Sequence, residues 1–345
     1  MASDVTVVEA RPTSRLKRVS AEDLTIRRRR GSRGFFYVDD AGKRIADPPT
    51  LDRIRSLAVP PAYEDVRIAP HERAHLQAVG TDIAGRLQYR YHSDWARVRE
   101  TKKGARLADL CQALPKIRNA VARDLARKDV GRERVLAGVV TLIDRTHIRV
   151  GCEDYVHSGR SRGAATLLKR NIARSGDGFV LTFRGKGGKA IETSLKAPGM
   201  ARLYPQLMKL HGARLFQFRG EDGAIHRVTA GQVNAYLTEI AGTAVSAKDL
   251  RTLAATALAA QMLSIDTPAK TKTGFRKQIT EVMVAVSERL SNTPAVVRKS
   301  YVHERLIDAF QRGELPKLSR RASVRRRVTT YEAIVSALFP VRSAA

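Results

Sequence analysis

Two hydrophobic periods alternate along this chain of 345 residues. Between residues 34 and 92 the apolar positions come in short β-type runs. Phe35–Val38 is closed by the turn signal Asp39–Lys43, and Val66–Ala69, His75–Asp82 and Arg86–His92 follow. A short helix is predicted over Leu51–Leu57, after Asp47-Pro48-Pro49-Thr50. From Ser93 the period lengthens to that of a helix. Ala96–Lys103, Arg106–Leu114, Pro115–Arg127 and Val135–Thr146 read as helices with basic outer faces. Strands return at Thr166–Leu168. Gly178–Phe183 and Lys189–Leu195 then flank Arg184-Gly185-Lys186-Gly187-Gly188. That is a hairpin signal, because glycine supplies the positive φ a tight turn needs. After Pro198 the pattern predicts helices over Ala201–Leu210, Ala230–Ala241, Lys248–Leu263, Lys277–Leu290, Pro294–Phe310 and Tyr331–Phe339.

This order of elements predicts an α+β protein. A small, mainly β N-terminal lobe occupies 34–93, and a larger, mostly helical lobe with a β-hairpin occupies 94–312. Residues 1–33 end in Arg27-Arg28-Arg29-Arg30-Gly31-Ser32-Arg33 and read as a basic, disordered tail. Residues 313–345 read as a basic extension that ends in a helix. No internal repeat is evident.

Charge narrows the list of partners. There are 63 Lys and Arg against 34 Asp and Glu, a formal net charge of +29. Such a surplus repels itself unless a polyanion offsets it, so nucleic acid is the expected partner. The basic residues are spread through the chain rather than gathered on one amphipathic helix, which speaks against a membrane surface. No apolar run approaches membrane-spanning length, and Met1–Thr6 opens no secretory signal. With 43% hydrophobic residues the chain is expected to fold. Cys111 and Cys152 make no disulfide framework, and the eight histidines are scattered, so no metal site is expected. A reducing compartment follows.

Four places carry candidate chemistry. In Ser291–Tyr301, Thr293 is a natural N-cap and Pro294 a natural first helical residue. Arg298 and Tyr301 would share one face of the helix that follows. Tyr301 in this basic setting could attack a phosphate, or could pack its ring on the core. Arg149 sits at the end of the helix from Val135, with Gly151 as its stop signal. Its partner would be Asp144 or a bound phosphate. Lys186 marks the hairpin tip, where a solvated turn lysine is equally natural. The Gly-Lys-Gly-Gly-Lys run lacks the spacing of a nucleotide loop. Lys248 and Arg251, three apart behind Ser246, favour an anion near a helix start or else pair with Asp249.

Each signal is weak alone; their order is specific. Ile148-Arg149-Val150-Gly151 with Tyr155 following, Gly185-Lys186, Lys248-Asp249-Leu250-Arg251-Thr252, and Thr293-Pro294 with Ser300-Tyr301 appear in sequence. This set closely resembles the type IB DNA topoisomerases, in particular the small poxvirus-like enzymes that bacteria also carry. Gln88-Tyr89-Arg90-Tyr91 looks like the strand that small type IB enzymes lay on DNA. The resemblance spans roughly residues 34 to 312.

The resemblance implies a two-lobed clamp around duplex DNA, acting as a monomer in the cytoplasm, at the nucleoid. It implies Tyr301 as nucleophile, with Arg149, Lys186, Arg251 and Asn292 as its catalytic companions. Gln88, Tyr89, Tyr91, Tyr155 and Lys248 would contact DNA. It implies no cofactor: neither metal nor ATP. Asn292 stands where poxvirus enzymes carry a histidine. An amide still donates a hydrogen bond to a phosphate oxygen but carries no charge. A tyrosine site-specific recombinase shares the Arg, Lys, Arg and Tyr chemistry. Recombinases usually place the second arginine in His-x-x-Arg and carry a helical N-terminal domain, unlike Lys248–Arg251 and the β lobe here. A non-catalytic nucleoid protein would satisfy the composition but leave the ordered set unexplained.

Overall fold

A computed structural model describes residues 16–154, 156, 161–322 and 326–339. The chain divides into two compact units, Met1–Thr101 and Lys102–Ala345. The described residues show the expected α+β composition, a strand-rich first unit and a mostly helical second unit that also carries strands.

The first unit is built on an antiparallel sheet of β1 (Ile26–Gly31), β2 (Gly34–Val38), β3 (Glu64–Ile68), β4 (Leu76–Thr81) and β5 (Leu87–Tyr91), in the order β2-β1-β3-β4-β5. Helix α1 (Pro48–Ser56) starts where the Asp47 carboxylate accepts from Thr50 N at 2.9 Å. Ile54 of α1 packs on Ile26, Val66, Ile68 and Ala78. Leu24, Ala69, Ala74, Leu76 and Val79 form a second small cluster.

Arg27–Arg30, expected in a disordered tail, instead forms β1, paired with β2 along its length and with β3 at its start. The run of charge hides a period of two. Ile26 is buried opposite Ile68, and Arg28, on the same face, donates to Pro60 O at 3.1 Å and to the Tyr63 carbonyl. Its guanidinium also lies 4.2 Å from the centre of the Phe35 ring. Burial lowers the Arg28 pKa below its ordinary value.

The second unit takes most of α2 (Trp95–Leu125), then α3 (Arg132–Thr146) and a three-stranded antiparallel sheet of β6 (Ile172–Ser175), β7 (Gly178–Arg184) and β8 (Ala190–Leu195). Helix α4 (Pro198–Lys209), the hairpin β9 (Gln217–Arg219) and β10 (Ile225–Arg227), α5 (Ala230–Ala241) and α6 (Ala247–Ser264) follow. The chain then runs through α7 (Lys272–Arg289), α8 (Pro294–Ser300), α9 (Glu304–Gln311), α10 (Leu315–Arg321) and α11 (Thr330–Leu338).

Three expectations change here. The helices expected between 96 and 127 are one helix, with Pro115 inside it. Leu107, Leu110, Leu114, Ile117 and Val121 make a continuous buried stripe across the proline, and that burial outweighs the backbone hydrogen bond it removes. Thr166–Leu168 is not a strand: Ala164–Thr166 is a 3-10 turn, and Leu168 makes an isolated bridge to Arg214. The helix expected over Pro294–Phe310 breaks between α8 and α9. The Tyr301 carbonyl accepts from Thr256 Oγ1 at 3.1 Å, and His303 Nδ1 accepts from Arg305 N as the N-cap of α9.

Two apolar cores fill this unit. The first joins α2, α3, the β6–β8 sheet, α4, α5 and Leu250, Leu253 and Ala257 of α6. The second joins Ala255, Ala259, Ala260 and Leu263 of α6 to α7, α8, α9 and α10. Helix α6 is thus shared between them.

Candidate active site

Arg149 is aimed by two close backbone approaches. Helix α3 ends at His147, whose left-handed conformation (φ 57°) lets its N–H reach Ile143 O. Gly151, expected as the stop, serves a different purpose. The backbone at 149–150 pairs with Ala164 and Ala165 at 2.8 Å. A Cβ on Gly163 would stand 2.4 Å from Arg149 O, and Gly151 needs a φ of 87°. Asp144, an expected partner for Arg149, is taken by Arg118 at 2.9 Å, and Arg118 also binds Glu332 at 2.6 Å. Arg149 is left to donate to Asn292 Oδ1.

Arg251 lies on α6 and is 3% exposed. It donates to Leu290 O at 2.5 Å, and its guanidinium sits 5.1 Å from the centre of the Tyr301 ring. Asp249, its other expected partner, is occupied by Ser246 Oγ at 2.6 Å and Arg106 at 3.1 Å. Burial lowers the Arg251 pKa, while Tyr301 acts to raise it.

Asn292 follows the end of α7. Leu290 closes that helix, and Ser291 reverses the chain in a left-handed conformation (φ 49°). The Asn292 N–H then returns to Ser287 O at 2.9 Å. Among the described residues, the buried Asn292 Nδ2 and Arg251 Nε have no hydrogen-bond partner. Arg251 Nε lies near Tyr301 and Asn292 Nδ2 near Arg149, and buried donors of this kind suit an anion.

Tyr301 closes α8, whose N-cap is Thr293 as the sequence predicts. Its side chain is buried, 7% exposed. Burial pushes the phenol pKa up. Arg251, Arg149 and Lys248 more than offset that, so it falls below its ordinary value.

Lys186 stands in the turn Lys186–Gly188 between β7 and β8. Nearby Lys189 Nζ donates to Asn292 O at 3.3 Å, a contact the sequence reading did not foresee. Arg149, Lys186, Lys248, Arg251 and Tyr301 all line one cleft of about 260 Å³, together with Arg162. Arg162 was also missed. Its side chain donates to Thr166 O at 2.9 Å, and no local motif marks it. An adjoining cavity of about 510 Å³ is lined by the same Arg149, Lys186 and Arg251. One hydroxyl surrounded by arginines and lysines is an arrangement that can attack and hold a phosphate ester.

In the first unit, Tyr89 and Tyr91 project from β5 with 47% and 44% exposure, their rings stacked at 6.2 Å. Tyr91 stacks in turn near Trp95 at 6.1 Å. Gln88 alternates to the other side of the strand and donates to Asp82 Oδ2 at 2.9 Å. Tyr155 lies outside the described residues. Among the described residues, no helix is long and apolar enough to cross a membrane.

Residues 92–323 match the family described as the catalytic core of eukaryotic DNA topoisomerase I. Residues 34–82 match the N-terminal domain of bacterial DNA topoisomerase IB. The chain is 30% identical over 292 residues to the DNA topoisomerase 1B of Acanthamoeba polyphaga mimivirus, covering 83% of this chain and 87% of that protein. The residues from Arg149 to Tyr301 that meet at the cleft all fall inside the first match. Gln88, Tyr89 and Tyr91 fall between the two matches.

Proposed function

The chain belongs to the type IB DNA topoisomerases, isomerases that change DNA topology, and we propose that it relaxes supercoiled duplex DNA through a transient 3′-phosphotyrosyl bond on Tyr301. One observation carries this reading: Arg149, Lys186, Lys248 and Arg251 share a cleft with a buried phenol, and Arg251, Arg149 and Lys248 hold its pKa down.

In the proposed reaction Tyr301 Oη attacks a backbone phosphorus in line. The new O–P bond forms as the bond from phosphorus to the 5′ oxygen breaks. The phenol gives up its proton to solvent water, a loss that the three cations around it favour. Arg149 and Arg251 meet the charge that develops on the non-bridging oxygens, each presenting a planar fork of donors. Asn292 adds its open Nδ2 to the same oxygens. Lys186 protonates the departing 5′ oxygen, aided by Arg149. Lys248 supports Arg251 at the phosphate. Religation runs these steps in reverse, after the free 5′ end has rotated.

The reading needs no ATP, because the phosphotyrosine conserves the energy of the broken bond. It needs no metal, because the side-chain cations supply the positive charge. Tyr89 and Tyr91 are proposed to contact the duplex backbone, and Gln88 a base edge if its hold on Asp82 is exchanged. The enzyme is proposed to work as a monomer, in the cytoplasm at the nucleoid, with both units engaging one duplex.

A plasmid assay tests the reading. Relaxation of negatively and positively supercoiled plasmid is expected in EDTA without ATP, and Tyr301→Phe is expected to abolish both relaxation and the covalent adduct. Relaxation that survives Tyr301→Phe would sink the mechanism. Strand exchange between two duplexes would point instead to a recombinase. The proton donor has its own test. Lys186→Ala is expected to slow cleavage far less when the 5′ leaving oxygen is replaced by sulfur, which leaves without a proton. Equal slowing on both substrates removes Lys186 from that role.

A further inference from the structure

The residues at the cleft come from two different cores. Arg149 and Lys186 are carried by elements of the first, and Asn292 and Tyr301 by elements of the second. Their relative position therefore depends on whatever ties the cores together. Helix α6 is one tie, and it carries Arg251. Helix α11 is another: Val335 and the following Phe339 pack in the first core, while Ile334 packs in the second with Tyr301. Helix α11 lies beyond residue 323, where the family match ends, and it contributes no side chain to the cleft.

Its contacts fall at both halves of the site. Glu332 binds Arg118, which binds Asp144 in the last turn of α3, just before Arg149. At the other end the Phe339 ring meets the His303 ring edge-on at 4.6 Å. His303 is the N-cap that follows the break after Tyr301. The Leu338 carbonyl accepts from Arg305 at 3.3 Å. Helix α2 closes the third side, where Lys103 Nζ donates to Val302 O at 3.0 Å. Gly104 makes this packing possible: a Cβ there would stand 2.9 Å from His303 Nε2 and 3.1 Å from Phe339 Cε1. Glycine is a poor choice for a buried helix interior, and here it makes room for two rings.

We infer that the end of α11 is a positioning element for the nucleophile: Phe339, packed edge-on against His303 over Gly104, fixes the break in which Tyr301 sits and so sets the phenol against Arg149 and Lys186. This rests on the reading of Tyr301 as nucleophile. Phe339, His303 and Gly104 act through Tyr301 and are positioning residues. A reacting group displaced by about 1 Å loses up to about a hundredfold in rate.

The test is single-turnover cleavage of a linear duplex at saturating enzyme, with duplex affinity measured alongside. Phe339→Ala is expected to lower the cleavage rate constant about tenfold to a hundredfold while affinity holds within about twofold. Phe339→Tyr keeps the ring and is expected to recover most of the rate. A merely structural role would lower the amplitude, as the folded fraction fell, and leave the rate constant alone. Gly104→Ala decides the matter if Phe339→Ala fails to fold. It adds a methyl group that a helix favours, yet it presses on both rings, and it is expected to slow cleavage at unchanged affinity. Wild-type rate constants in folded Phe339→Ala and Gly104→Ala would overturn the inference. Tyr301→Phe run in parallel separates the two readings. An adduct that survives it removes the nucleophile; an adduct lost there but formed at the wild-type rate in the other variants removes only the positioning role.

Discussion

Asn292 and Tyr301 show how far individual residues can be read. The ordered set of Arg149, Lys186, Arg251 and Tyr301 is visible in sequence because each lies beside a recognisable helix end or turn. Their partners were not visible. Asp144 is drawn away from Arg149 by Arg118 and Glu332, from helices distant in sequence, and no local pattern encodes that. Asn292 is expected to matter through its open Nδ2. Asn292→Ala should slow cleavage by about a hundredfold or more, the usual cost of losing one donor to a developing oxyanion, as read in single-turnover assays. The phenol gives a pH expectation. Tyr301 is an acid whose folded pKa is lowered, so the cleavage rate should rise with pH and level off below the ordinary phenol value of about 10. Arg251→Gln removes the largest of the lowering causes, and the plateau should move to higher pH in a rate profile. In linkage terms, the lowered phenol contributes stability that is fully present above the unfolded value of about 10 and is lost as pH falls through the folded one.

At the scale of elements, period and capping placed most helices within a few residues. Thr293 and Pro294 open α8 as expected, and Ala230–Ala241 stands unchanged as α5. The errors came where tertiary contacts override local preference: the buried stripe that carries α2 through Pro115, and the Thr256 and His303 contacts that divide α8 from α9. Strand β1 was lost because four arginines concealed an alternation that only pairing on both sides reveals. Two connections carry expectations of their own. Ser291 already takes a left-handed conformation, which a β-branched side chain resists. Ser291→Val should cost about 1–2 kcal/mol in thermal or urea unfolding. Gly163→Ala would drive a methyl group onto the Arg149 carbonyl. It should reduce cleavage by about a hundredfold through displacement of Arg149, with plasmid binding largely kept.

For the whole molecule, the net charge of +29 pointed to a polyanion without saying which one or where it lies. The charge is spread over both units, so duplex affinity should depend steeply on salt. Neutralising about six phosphates gives a slope near −5 in a plot of log K against log salt concentration, measurable by fluorescence anisotropy. A slope near zero would mean that the basic surface stays away from the duplex. The α+β order was legible because the hydrophobic period shifts between two and 3.6 along the chain. The assembly of one cleft from two cores was not legible, since residues as far apart as Arg149 and Asn292 meet only after the helices pack.

That division bears on what happens when the native state opens in part. Cooperative units often unfold separately, at free energies below that of the whole protein. Opening of the second core alone would remove Tyr301 and Asn292 while Arg149 and Lys186 stayed in place on the first. In hydrogen exchange, amides of α8 and α9 should then be released before those of α3. At low urea concentrations there should be a window in which the protein still holds plasmid and no longer forms its covalent bond to it.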